Sequence, residues 1–505
     1  MGFPKTFSLF SLFAVLTTLF FFMDLSFTFA QTSTQTPTVI NTTELRRLMK
    51  CYGLLVGERI RMSDPLFIKV KNGESTGADA CLELLNHATL GADGKFPLVN
   101  GAPDPIGAKI ANQLFALHRA HISVPDPLSV LDIAADIIDA NQTVYHFTYP
   151  FLKLNEPFSK VITRKKGLRA IRSAGTTFLN EPDLLRIHLR TLYPLSFTQG
   201  YYDSPAKNNL KPWNPVVLER GVLQGMTEDS NLNIPEYLSS NSSKYENAAD
   251  VNAHFGAGFL GTQTYQFSSL KKPGMGDGAT NVFRVFGKDA YHDAFCRDLP
   301  LVRSRDVVGE VYPNSEIPWR QSPSCMACHK SMDEFSGVAR RMISLSIGYS
   351  YNSAFPAKRF NFWSNLSVPK QDSEIESAPP PTLNPDPNYW RRPPEGRLYF
   401  RNYRGDLIDR KVSSLQEMGE AMAEQDDLYI CEASRLFEYL TGIQPRLGDP
   451  FDPTQPLNLT AGDKWIRELV IQYGLDLKKH QNVRETLRRM IASPLFLDPN
   501  AGAAP

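Results

Sequence analysis

Two cysteines and a histidine stand close together in the segment Cys325-Met326-Ala327-Cys328-His329. Two thiols separated by two residues can form thioethers with the two vinyl groups of one porphyrin. A histidine directly after the second thiol can then bind the porphyrin iron from the proximal side. The spacing therefore predicts one covalent haem c on the opening turn of a helix, held by Cys325 and Cys328 and ligated by His329.

Other chemistry is open to the same residues. His292 and Cys296 could join Cys325 and Cys328 as a zinc-binding set, in which the adjacent His329 would have no role. A thioredoxin-like dithiol would need a βαβ context, whereas the residues before the motif predict a loop. A disulfide within the pair would close a strained ring. Haem attachment uses all three motif residues, and the zinc set is the leading alternative.

The elements that must position the motif are predicted to be mainly α-helical. Apolar residues recur every three or four positions in several stretches on both sides of it. Helices are predicted over residues 106–117, 128–138, 181–192, 427–440, 464–473 and 481–490. Just beyond the first of these stretches, His118 and His121 are predicted to lie on a polar helix face. The fold class is therefore mainly α in both halves of the chain.

The C-terminal half also carries the pattern of one small β-hairpin. Apolar and polar residues alternate over residues 397–402 and 407–412, with turn-forming residues between them. Either Ser413 or Ser414 can then cap a following helix, on whose apolar face Met418 lies. We expect this hairpin to be the one sheet in a helical C-terminal half.

The length of 505 residues exceeds the size at which one hydrophobic core usually stops growing, so more than one domain is expected. Composition divides the chain into a signal peptide (1–30), a polar disordered linker (31–45), a helical N-terminal region of unknown role (46–240) and a c-type haem domain with a helical C-terminal subdomain (250–505). Seven prolines within residues 371–396 predict an irregular loop in the last region.

The N-terminus has the form of a secretory signal. Lys5 makes it basic, an apolar run covers residues 7–23, and small residues stand three and one before Gln31. We expect export to a bacterial periplasm and removal of the signal; the alternative is an uncleaved membrane anchor, since the run nears the length of a membrane span. No second run of about 18 apolar residues occurs, so no stable membrane insertion is expected after cleavage.

Export places the other four cysteines in an oxidising compartment, where disulfides form and persist. Four cysteines allow three pairings, and sequence alone leaves them open. Order along the chain favours Cys51 with Cys81 across a polar loop, which leaves Cys296 with Cys431 as a long-range link. These are the two disulfides that we predict.

The charge of the chain is balanced. Lysine and arginine number 54, aspartate and glutamate 53, and the net charge is +1. No stripe of basic residues alternates with aromatic residues, so nucleic acid is not an expected partner.

A wider set of residues follows the pattern of a known family. Residues 320–329, then Met332-Asp333 and Gly337-Val338-Ala339, resemble the planctomycete-type cytochrome c domain, found in exported bacterial proteins of largely unknown function. Fainter similarity extends the likeness over about residues 250–500. The resemblance implies a cytochrome c-like C-terminal half with a single haem. Glu334 stands where the family has proline, which puts the turn after the motif helix in doubt.

A single haem c without a recognisable catalytic set predicts one-electron transfer to or from a redox partner protein. The alternative is a haem enzyme whose sixth iron site is open to peroxide or another small oxidant, although no distal acid–base residue is evident. A third hypothesis makes the N-terminal half a binding module that carries the cytochrome. Met418 is the candidate sixth ligand, because its helix lies at a sequence distance that could cross the porphyrin; a histidine of the N-terminal half or an open site are the alternatives.

Overall fold

The computed structural model describes most, but not all, of the chain. The described residues are 41–122, 142–172, 222–229, 256–262, 265, 280–315, 318–339, 343–352, 355–364, 394–448, 457–498 and 501. Several predictions fall outside them, namely the signal peptide, linker residues 31–40, the helices at 128–138 and 181–192, the domain boundary at 240–250 and most of the proline-rich stretch.

The described part of the chain is mainly helical, as the sequence predicts. Its α-helices are α1 (Thr42–Val56), α2 (Pro65–Lys71), α3 (Gly77–Leu84), α4 (Pro105–His121), α5 (Gln142–Leu152), α6 (Lys160–Thr163), α7 (Thr280–Phe295), α8 (Ser304–Val307), α9 (Pro323–Ser336), α10 (Leu415–Ala423), α11 (Asp426–Thr441), α12 (Ala461–His480) and α13 (Val483–Ala492). Among the described residues, no helix is long and apolar enough to cross a membrane.

The strands form small antiparallel pairs between the helices. They are β1 (Leu98–Val99) with β2 (Ala102–Pro103), β3 (Gly167–Arg172) with β4 (Leu223–Asp229), β5 (Ile343–Asn352) with β6 (Phe355–Ser364), and β7 (Gly396–Arg401) with β8 (Leu407–Val412). The predicted hairpin is confirmed as β7–β8. The expectation of a single hairpin is wrong, because β5 and β6 form a longer one. Apolar residues alternate with small or polar ones from Ile343 onward, and this period of two is the sequence signal of the longer hairpin.

Side-chain caps explain where several helices begin and end. Asn41 accepts a hydrogen bond from the backbone N–H of Glu44 (3.2 Å), so α1 begins at Thr42, inside the linker predicted over residues 31–45. That linker therefore ends at least four residues early. Thr460 and Asp463 cap each other's backbone N–H groups, which starts α12 earlier than the predicted residue 464.

Helix α11 is largely buried. Thirteen of its sixteen residues are buried, among them three charged ones that need partners: Asp427, Glu432 and Arg435. Asp427 lies 3.6 Å from the guanidinium of Arg297, and Arg435 donates to the backbone carbonyl of Asp293 (2.6 Å). Both of these partners lie in or just beyond α7. The charged groups of α11 therefore orient α7 on the core.

Helix α11 also contacts the N-terminal region, because its buried Glu432 needs a partner and His118 of α4 supplies one. Its ring is fully buried, with Nδ1 3.1 Å from the hydroxyl of Thr148 and Nε2 3.1 Å from the carboxylate of Glu432. The prediction of a polar helix face is wrong for this residue, because α4 packs between α5 and α11 and that face is covered. His118 is a buried link between chain segments 314 residues apart.

One hydrophobic core runs through both halves of the chain. The described residues from Asn41 onward form one compact unit, and the core cluster includes side chains from Leu48 to Phe496. Helix α13 packs on α3, and the buried guanidinium of Arg484 donates to the carbonyl of Phe151 and to the hydroxyl of Thr89 (2.8 Å). The described parts of the N-terminal and C-terminal regions are thus packed together.

The predicted disulfides are confirmed. Cys51 and Cys81 join α1 to α3 with a Cα–Cα distance of 6.1 Å. Cys296 and Cys431 join the end of α7 to the middle of α11 at 5.2 Å. Each bond thus links helices that already share the core.

The two disulfides should differ in their contribution to stability, because they close loops of different length. The paired cysteines are separated by 135 and 30 positions in the sequence. Loop entropy therefore predicts a loss of about 5 kcal/mol for Cys296→Ala/Cys431→Ala and about 4 kcal/mol for Cys51→Ala/Cys81→Ala. Urea unfolding of the two double variants, beside the parent with and without reductant, measures both. A larger loss for the shorter loop would contradict the expectation.

Candidate functional site

The motif residues share one face of a short helix. Pro323 occupies the first turn of α9. Backbone N–H groups there have no acceptor within the helix, so proline loses no hydrogen bond, and its fixed φ suits a helix. Cys325, Cys328 and His329 then follow at offsets of three and four, which places them together on the helix surface. A 3-10 turn (Pro318–Gln321) precedes the helix. The predicted position of the motif, on the opening turns of a helix, is confirmed.

Both thiols of the motif are free. Cys325 is exposed and Cys328 is partly buried. Burial raises the pKa of the Cys328 thiol, and the neighbouring Cys325 raises it further. Reactive redox dithiols instead depend on a lowered thiol pKa. The pair is therefore accessible to a bound group, but it lacks the electrostatics of a thioredoxin-like centre.

His329 is held by a carboxylate one turn further along α9. Its Nδ1 lies 3.0 Å from Oδ2 of Asp333, and its side chain is 20% exposed. No described residue hydrogen-bonds the other ring nitrogen, Nε2. Metal-binding histidines commonly donate one ring N–H to a carboxylate while the other nitrogen binds the metal. The ring of His329 has this arrangement.

Two further side chains contact the His329–Asp333 pair and each other. Arg284 of α7 donates from Nε to Oδ1 of Asp333 (3.2 Å), and its guanidinium lies 4.5 Å from the ring centre of Trp319. The Trp319 ring stacks on His329, with 4.9 Å between centroids and 16° between planes. We call these four residues, His329, Asp333, Arg284 and Trp319, the histidine clamp.

The histidine clamp was not predicted from the sequence. Asp333 stands four residues after His329 on one helix, so helical spacing could have identified the pair. No local signal points to Arg284 or Trp319, because the first comes from another helix and the second from the turn before α9. Their positions depend on the packing of α7 against α9.

A charged network supports the C-terminal half of α9. Buried Lys330 pairs with Glu310 (2.7 Å) and Glu334, and Arg397 of β7 pairs with Glu334 (3.4 Å) and Asp409. Glu334 is the residue that stands in place of the family's proline. As a glutamate it keeps the helical N–H and contributes to two ion pairs, so α9 continues to Ser336.

The alternative zinc set loses one of its ligands. The sulfur of Cys296 is bonded to Cys431 and cannot act as a thiolate, while Nδ1 of His292 lies 2.9 Å from Asp298. Within the described ranges, no group of three or more histidine, cysteine, aspartate or glutamate side chains is arranged to hold a metal ion. A four-residue zinc site at the motif therefore has no support.

Met418 lies in the core rather than at the surface. It is fully buried on α10, and its methyl group lies near Gly396 and Val338. Val338 follows His329 by nine residues along the chain. This environment is typical of a methionine that fills space between elements. Its predicted role as sixth ligand stays a prediction.

No known protein family, curated protein or solved structure matches this chain. The resemblance to the planctomycete-type cytochrome c domain therefore stays a prediction based on the motif residues.

Close packing at Gly287 sets the distance between α7 and α9. A Cβ there would lie 2.6 Å from the carbonyl oxygen of Met332 and 2.9 Å from the hydroxyl of Ser336. We expect Gly287→Ala to destabilise the protein by about 1–3 kcal/mol, because the helices must separate. Gly309→Ala is the control, since no described atom lies within 4 Å of that position, and should change stability by less than about 0.5 kcal/mol. Equal unfolding midpoints for both variants in urea would refute the close packing.

Proposed function

We propose that this chain is an exported c-type haem protein that transfers single electrons to or from a redox partner protein. The observation that carries the proposal is the motif itself: Cys325, Cys328 and His329 on one helix face, with both thiols free. The other four cysteines are paired in disulfides. Only the motif thiols are therefore left for attachment.

The residues of the site fit a covalent haem. The two thiols have the spacing that thioether attachment requires, and Nε2 of His329 is left for the iron. The Nη2 atom of Arg284 is buried and has no hydrogen-bond partner among the described residues. A buried donor of this kind suits a carboxylate such as a haem propionate. Thiols, imidazole and guanidinium together match the functional groups of one haem.

The roles of the residues follow from this assignment. Cys325 and Cys328 would each hold one vinyl group of the haem through a thioether, and His329 would supply a nitrogen ligand to the iron. Haem contributes the one-electron couple of its iron. Exposure of Cys325 supports electron transfer, because it would place one edge of the haem close to the surface where a partner docks.

The two disulfides support export. Structural disulfides persist in oxidising compartments and are rare in a reducing cytoplasm. Both predicted pairs are present, at Cys51–Cys81 and Cys296–Cys431. This agrees with the secretory form of residues 1–30, and we propose a bacterial periplasm as the location.

An enzyme with an open sixth iron site is the second candidate. The hydrogen bond between His329 and Asp333 favours it, since a carboxylate partner increases the basicity of the imidazole and stabilises oxidised iron. The two candidates differ in the sixth ligand, which can be measured.

Haem attachment is tested by removing the thiols. In a cell with haem-attachment machinery, Cys325→Ala and Cys328→Ala should each retain at most one thioether, and the double variant should retain none. The measurement is the Soret absorbance that stays with the protein after denaturation. Cys51→Ala/Cys81→Ala is the control and should keep its covalent haem. Covalent haem in the Cys325/Cys328 double variant would overturn the proposal, and so would a colourless parent.

The sixth ligand separates electron transfer from enzyme action. If Met418 binds the iron, the oxidised protein should show the weak near-infrared sulfur–iron band, and the reduced parent should not bind carbon monoxide. Met418→Leu should abolish the band and permit carbon monoxide binding, at a cost of less than about 1.5 kcal/mol in stability because volume is kept. Ready binding of carbon monoxide by the parent would instead favour the open-site enzyme.

A further inference from the structure

We propose that Asp333 is the positioning residue that orients His329 and lowers the reduction potential of the haem, and that Arg284 limits this effect. The inference rests on the proposed haem attachment. It concerns how the chain sets the properties of that haem, which the motif alone does not determine.

The geometry assigns the orientation of the imidazole. With Oδ2 of Asp333 3.0 Å from Nδ1, the carboxylate accepts a hydrogen bond from Nδ1–H, and the lone pair of the imidazole is left on Nε2. Asp333 stands one turn after His329 on α9, so the pair forms without rearrangement of the backbone. The stacked ring of Trp319 restricts rotation of the imidazole. His329 is thus preorganised as a ligand.

Burial gives the Asp333 charge its influence. The Asp333 side chain is 19% exposed and that of Arg284 is 13% exposed, so water screens neither group well. A nearby anion that accepts a hydrogen bond from Nδ1–H makes the imidazole a stronger electron donor and stabilises oxidised over reduced iron. The consequence is a lower reduction potential.

Arg284 acts against this effect. Its Nε lies 3.2 Å from the second oxygen of Asp333, and its positive charge withdraws electron density from the carboxylate. The two charges come from different helices and should change the potential in opposite directions. This opposition distinguishes an electrostatic role from a merely structural one.

The experiment is a redox titration of the purified holoprotein and three variants of the Asp333–Arg284 pair. Asp333→Asn should raise the potential by about 59 mV, which is a tenfold change in the ratio of oxidised to reduced haem at a fixed potential. Arg284→Gln should lower the potential, so that the ratio of oxidised to reduced haem at a fixed potential rises about threefold. Arg284→Lys keeps the positive charge and should lie closer to the parent than Arg284→Gln.

Asp409→Asn is the matched control, because it also removes one carboxylate from an arginine pair, but on β8 and outside the histidine clamp. It should change the ratio by less than about twofold. Each variant is first checked for covalent haem by its Soret band after denaturation.

The outcomes are distinguishable. Opposite shifts for the Asp333 and Arg284 variants support the inference. Shifts of the same sign, shifts no larger than that of Asp409→Asn, or unchanged potentials in variants with covalent haem would overturn it while leaving the proposed function intact. If Asp333→Asn does not mature, an Arg284→Gln potential at or above that of the parent overturns it by itself. A parent without covalent haem would overturn both.

Discussion

The burial of charged groups on helix α11 constrains the rest of the fold. An unpaired charge in the core is strongly destabilising, so each buried charged residue of α11 requires a partner from another element. Glu432 meets His118 of α4, and Arg435 reaches a backbone carbonyl of α7. A disulfide from Cys431 then links α11 to the residue after α7. These contacts fix α4 and α7 against one central helix.

Helix α7 in turn positions the motif helix α9. Its residue Gly287 lets α9 approach closely, and Arg284, one turn earlier, reaches Asp333 on the same side. On another face of α9, Met326 and Ala327 pack in a small apolar cluster with Tyr399 of β7. The motif helix is therefore held on two sides, while the face that carries the thiols stays accessible.

This arrangement separates two requirements of the proposed haem site. Attachment needs accessible thiols, and Cys325 is exposed. Control of the potential needs charges that water does not screen, and Asp333 and Arg284 are mostly buried. His329 lies between these environments, partly exposed and hydrogen-bonded to the buried carboxylate. One turn of helix thus joins a surface attachment site to an internal charge pair.

Local spacing in the sequence was enough to predict the motif on its helix, the β7–β8 hairpin and helices α10 to α13. Chain order favoured one of three possible disulfide pairings, and the structure contains that pairing. Which polar face is covered, as at His118, and which groups surround His329 depend on the tertiary structure. Periodicity marks a face as polar or apolar because it follows from spacing within one helix, whereas contacts across 49 or 314 residues depend on how whole helices pack.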